Sequence, residues 1–231
     1  MPEPSGLPGL PSVFAQVLLR EGGDALSHAV ALAPARGAGT LAWVRAYARV
    51  EAAVVLEPEM PLAAARLAFL AAANALADAL AAIGPPELDV AFRWPGTLLL
   101  NHGACGRVRL AAPPGVAEDA VPDWLVVAVE MRLAFPAGHE SGHDPGVTCL
   151  AEEGFEDPDP AGLTAAWARH LMAGLDAWQA RGPQRVAEPY LARLRDPAEA
   201  PGLRRGIDPG SGGLVLEQDG RRVVRPLREA G

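Results

Sequence analysis

The sequence predicts an α+β chain: a main body of helices and strands over residues 1–198, and a small C-terminal β-module over 199–231. Three observations predict it. First, residues 93–110, RWPGTLLLNHGACGRVRL, set a polar Asn101-His102-Gly103 turn between two apolar runs, the pattern of a β-hairpin. Second, residues 62–83 form an alanine-rich apolar run with Leu62, Leu67, Leu70, Leu76, Leu80 and Ile83 among its apolar positions, which fits a buried helix. Third, Leu214-Val215-Leu216 and Val223-Val224 flank Asp219-Gly220, a strand–turn–strand signature near the C-terminal end.

The totals narrow the function classes. At 231 residues the chain is long enough to bury a sizeable core without a disulfide or metal staple. It is 50% hydrophobic and 21% charged, as expected of a water-soluble globule. A formal charge of -8 without a basic run argues against nucleic acid as a partner. All 20 basic residues are arginine, so no step of any reaction here can use a lysine side chain. Cys105 and Cys149 make no disulfide framework and read as free thiols of a cytoplasmic protein. The start, MPEPSGLPGLPS, has no basic region before its prolines and reads as neither a signal nor a transit peptide. Arg66, Asn74 and Asp78 interrupt the longest apolar run, which argues against a membrane span.

Taken in order, residues 1–12 read as an extended lead-in. Residues 13–20 suit a helix, with Phe14, Val17 and Leu18 on one side, ended by Gly22-Gly23. Residues 29–32 suit a short buried strand. Residues 34–43, with Gly37 and Gly39 at two-residue spacing, read as a loop whose backbone can approach a ligand, or as a plain surface loop. Residues 52–56 are a strand. Pro61 suits the first position of the helix over 62–83, and Gly84-Pro85-Pro86 stops it. Residues 88–94 alternate, as a half-buried strand does, and feed the hairpin. Residues 111–121 are a Pro-rich loop, 123–133 a strand and 135–148 a loop. A helix runs from Asp159-Pro160 to about Ala180, with Trp167, Leu171, Leu175 and Trp178 on one stripe. A shorter helix follows from Pro183 to Leu194.

Trp94-Pro95, the strand after them, the turn and the returning strand resemble the heart of the biotin and lipoate protein ligases. There a Trp-Pro-Asn-Asp tetrad leads through a strand and turn to an essential Lys and a Gly. In this chain Gly96 and Thr97 replace the Asn and Asp, Ala104 stands at the Lys, and Gly106 and Arg107 take the small positions after it. Arg36-Gly37, Gly39 and Trp43 are similar to the family's Arg- and Gly-rich loop that closes over an acyl-adenylate. In residues 123–133, Ala128 and Glu130 stand at two family glycines and Arg132 at an Asn. The tail, Arg205-Gly206-Ile207-Asp208 through Asp219-Gly220, resembles part of the small β-barrel that follows the catalytic domain in biotin ligases.

The resemblance implies a mixed β-sheet flanked by helices, as in class II synthetases and biotin protein ligases, with a truncated barrel behind it. It implies a ligand site built by Arg36, Gly37, Gly39, Trp43, Trp94, Pro95, Gly106, Arg107 and Arg132. Its ligand would be a small carboxylic acid of the biotin, lipoate or octanoate type, or its adenylate, with ATP as co-substrate and a biotinyl or lipoyl carrier domain as partner. Ala104 removes the lysine that steadies the adenylate, so no catalytic residue is assigned, and a non-catalytic binding module of the same fold is the alternative. Convergence of several guanidinium groups on one point would favour an adenylating enzyme; one or none would favour the binding module. Two rival constellations stay open. Cys105 is either a nucleophile helped by Arg107 or His102, or a small apolar strand residue. His139, Glu140 and His143 match a metal-dependent hydrolase only if a helix carries them, and Pro136, Gly138, Gly142 and Pro145 argue against a helix.

Overall fold

The computed structural model describes residues 6–136, 138, 139, 144, 146–195 and 203–227. The main body is a seven-stranded mixed sheet in the order β1-β2-β3-β7-β6-β5-β4. Its strands are β1 (Ala15–Leu19), β2 (Thr40–Val44), β3 (Arg49–Leu56), β4 (Val90–Arg93), β5 (Thr97–Leu100), β6 (Gly103–Ala111) and β7 (Leu125–Arg132). Only β1 and β2 run parallel; every other neighbouring pair is antiparallel.

Residues 13–20, expected as a helix, form instead the edge strand β1. Their apolar spacing fits a helix, yet Ala15 N–H donates to Gly39 O at 2.9 Å and the strand pairs from Ala15↔Thr40 to Leu19↔Val44. Residues 29–32, expected as a strand, lie inside helix α1 (Ala25–Arg36). A short apolar run has no periodicity to decide between the two. Here the decision comes from outside it: the Asp24 carboxylate accepts the Ser27 N–H at 2.8 Å and caps the helix start. Ala25, Leu26, Ala29 and Ala33 then pack on the sheet.

The expected helix over 62–83 splits into α2 (Leu62–Ala65) and α3 (Ala68–Ala81). Between them the bonding tightens to three-residue steps, Leu67 N–H to Ala64 O and Phe69 N–H to Arg66 O. Helix α3 is buried nearly all round, between the sheet and α4 (Pro160–Arg181). The span Leu62–Ala81 is long and apolar enough to cross a membrane, and 83% of its most apolar window lies inside the protein. The Trp167 indole donates to Ala72 O at 3.1 Å, and the Asn74 amide donates to Val186 O at 2.8 Å. The latter ties in α5 (Gln184–Arg193). The hairpin over 97–110 forms where expected, with Asn101 (φ 44°) and His102 (φ 76°) at its turn and a bulge at Leu98/Leu99.

Strands β8 (Arg204–Ile207), β9 (Leu214–Gln218) and β10 (Arg221–Arg225) form a second sheet, ordered β10-β9-β8. Asp219 and Gly220 turn with φ of 50° and 75°. Leu214 and Leu227 sit in the same core as α3 and α4.

Candidate functional site

Side chains alternate across a sheet, so one face of the three central strands reads as a single list. On the α1 side, Ala53 and Val55 of β3 and Val126 and Ala128 of β7 pack beneath the helix. Beyond its N-terminus the same face continues as Arg49 and Glu51, Glu130 and Arg132, and Arg107 and Arg109 of β6. The register sets Glu51 opposite Glu130 and Glu130 opposite Arg107. A cavity of about 400 Å³ opens here, lined by Arg49, Glu51, Ala104, Cys105, Gly106, Arg107, Glu130 and Arg132 among others.

Two carboxylates side by side repel unless cations hold them. Glu51 accepts Arg49 Nε at 3.0 Å, and it accepts the Ala25 N–H at 2.7 Å, so it sits at the positive end of α1. Arg49 also donates to the carbonyls of Glu21 at 2.5 Å and Gly23 at 3.3 Å. Glu130 takes Arg107 Nε at 2.8 Å on one oxygen and Arg109 Nη1 at 2.7 Å on the other. Arg132 donates to the carbonyls of Thr148 at 2.7 Å and Ala104 at 3.2 Å, and lies 5.5 Å from the Phe135 ring centre. Three arginines against two glutamates leave the lining with one surplus positive charge. Gly106 is required here: a Cβ on it would fall 2.2 Å from Glu130 O.

Gly106, Arg107 and Arg132 thus meet at one cavity, with Ala104 beside them. The remaining sequence-predicted residues do not join them. Arg36 ends α1, and Gly37 and Gly39 form the turn into β2, with Gly39 N–H on Val55 O at 2.9 Å. That turn lies at the far end of β3 from Arg49, roughly 20 Å away at about 3.3 Å per residue. Trp43 faces the opposite side of the sheet and is buried in the α3 core. Trp94 and Pro95, joined by a cis peptide bond, pack against Tyr190: the rings of Trp94 and Tyr190 meet edge-on at 6.0 Å, and the Tyr190 hydroxyl donates to Pro95 O. The nine residues that the resemblance groups together therefore do not line one cavity. The reason is α1, which runs through Arg36 and turns the glycine loop into a helix-to-strand connection.

Sequence reasoning missed Arg49 and Glu51. Their signal was present: two opposite charges at two-residue spacing before the apolar run of β3 place both on one face. The nucleophile reading of Cys105 is corrected. Its buried thiol donates to Arg132 O at 3.4 Å, and burial pushes its pKa up to about 12, so it stays protonated at neutral pH. For the hydrolase reading, His139 stacks on Phe135 at 3.7 Å, while Glu140 and His143 lie outside the described residues. Among the described residues no group of three or more His, Cys, Asp or Glu side chains is placed to hold a metal ion.

Residues 10–192 match the biotin/lipoate A/B protein ligase family. A Paracoccus denitrificans protein named biotin–[acetyl-CoA-carboxylase] ligase is 35% identical over 210 residues, 84% of each chain. A biotin protein ligase-like protein of unknown function from Silicibacter superposes with a TM-score of 0.80 at 29% identity, covering 94% of this chain and 96% of its own. Apo biotin protein ligase from Aquifex aeolicus superposes with a TM-score of 0.70 at 12% identity, covering 94% and 97%.

Proposed function

Since this chain belongs to the biotin/lipoate A/B protein ligase family, we propose that it binds a small carboxylate of the biotin, lipoate or octanoate type without activating it. The cavity on β3, β6 and β7 is the binding site. The carrying observation is Ala104 on the rim of a cavity whose guanidinium groups are already engaged, Arg107 by Glu130, Arg49 by Glu51 and Arg132 by two carbonyls. One surplus charge suits a single carboxylate: Arg132 supplies the charge that no glutamate offsets, and Arg107, about half exposed at its side chain, lines the cavity beside it. The same lining does not fit ATP. A triphosphate brings several negative charges at once, and Glu51 and Glu130 stand among the cations that would meet it. Three arginines line the cavity, as an adenylating enzyme would require, but two of them are spent on glutamates.

The name of the Paracoccus relative favours a second reading, in which adenylation persists with Arg107 or Arg132 in place of the lysine. Titration calorimetry with biotin, lipoate, octanoate and ATP, each alone and in pairs, separates the two. Heat from a carboxylate alone, lost on Arg107→Ala or Arg132→Ala and indifferent to ATP, supports the binding module. Cooperative binding of a carboxylate with ATP supports the second reading, and no heat from any of the acids contradicts both.

A further inference from the structure

Among the described residues strand β10 is the edge of the C-terminal sheet, and every one of its residues, Arg221-Arg222-Val223-Val224-Arg225, is exposed. Val223 is 55% and Val224 45% exposed, large values for strand valines. Its inner side pairs with β9, from Arg221↔Gln218 to Arg225↔Leu214. On one face Arg221, Val223 and Arg225 border a trough of about 600 Å³ with Leu203, Leu216, Gln218 and Asp219, so two arginines there meet one carboxylate. On the other face Arg222 stands opposite Glu217 at 3.9 Å, too long for a strong pair. Residues 203–227 carry five arginines against three acidic residues, a surplus of two in a chain of net charge -8. The module is also anchored: Leu214 and Leu227 hold it to the main core, so the edge is presented by a rigid support.

An exposed edge strand offers a row of backbone donors and acceptors to another chain, and its side chains choose which chain. We infer that β10 is a docking edge for an acidic, extended protein segment that adds antiparallel to the sheet. Antiparallel register writes the segment's pattern, from its N-terminus: acid, apolar, apolar, acid, acid. The acids face Arg225, Arg222 and Arg221, and the apolar pair covers Val224 and Val223. Charge complementarity selects this occupant over a second copy of the chain, whose own β10 would set arginine against arginine. The backbone edge and the valine pair favour a peptide over nucleic acid, which needs neither. The inference stands apart from the carboxylate cavity, since the two surfaces share no residue.

The test uses the full chain and a fluorescein-labelled decapeptide centred on Glu-Val-Val-Glu-Glu, read by anisotropy. The expected result is saturable binding that weakens about tenfold or more in Arg221→Glu/Arg222→Glu, and that is lost when alternate peptide residues are proline. Amide shifts by NMR should concentrate at residues 221–225. Because the proline series alters the peptide alone, it stays informative if the protein variant unfolds. No binding, equal binding of the proline peptide, or displacement by a single-stranded oligonucleotide at lower concentration overturns the inference.

Discussion

The half of the central sheet under α1 and the half beyond its N-terminus are built from the same strands and have opposite chemistry. Under the helix, Ala53, Val55, Val126 and Ala128 are buried and apolar. Two residues further along β3 and β7, Glu51 and Glu130 face the same way and collect arginines. The difference is coverage. Where a helix excludes water, apolar contact stabilises the fold; where the helix ends, the strands hold charges rigidly against a cavity. Stability and ligand recognition should therefore separate along one strand.

The largest effect expected is in the covered half. Trp124 packs in the α1 cluster, and Trp124→Ala should cost about 3–5 kcal/mol by denaturant unfolding. A loss below about 1 kcal/mol would mean the covered half is loosely packed. Next comes Glu130→Gln in the open half. It removes the charge and one of the two oxygens that hold Arg107 and Arg109 and should cost roughly 1–3 kcal/mol, while carboxylate affinity rises several-fold because the cavity gains positive charge. If affinity falls instead, Glu130 itself recognises the ligand.

Asp24 sits at the boundary, capping α1. Asp24→Ala should cost about 1 kcal/mol. The Ser27 N–H holds its carboxyl below the usual range. The folded pKa is thus below the unfolded one, so its contribution is present above the unfolded value near about 3.9 and is lost as pH falls below it. Asp24→Asn, which keeps the cap but not the charge, should flatten that part of the acid limb in pH-dependent unfolding. The smallest effect at neutral pH comes from Cys105. With its thiol pushed up to about 12, stability is untouched below the unfolded value near about 8.5 and declines as pH rises past it. Cys105→Ser should shallow that alkaline decline, and Cys105 should resist iodoacetamide at pH 8 until the chain unfolds.

The same contrast explains what was legible in the sequence. Strands β3 to β7 and helix α4 carry their own periodicity and turn chemistry, and they lie within a few residues of where the sequence reads them. The first third does not. In residues 13–36 the apolar residues come in short, alanine-rich runs, and the structure there depends on partners: a parallel neighbour for β1 and a cap at Asp24 for α1. Arg36, Gly37, Gly39 and Trp43, placed in the site by the family resemblance, lie outside the lining of the cavity on β3, β6 and β7. Gly106, Arg107 and Arg132 come together at one cavity because a well-patterned hairpin and a central strand hold them. Arg49 and Glu51 show in the sequence only as opposite charges on one face of a strand; that they meet Glu130 appears when β3 is set beside β7.

We propose a cavity that recognises a carboxylate and does not activate it. Pyrophosphate release from the purified chain given ATP with biotin, lipoate or octanoate tests it most directly. The account predicts no release above the rate without acid, with carboxylate binding intact. Release that depends on the acid and disappears in Arg107→Ala or Arg132→Ala would contradict it.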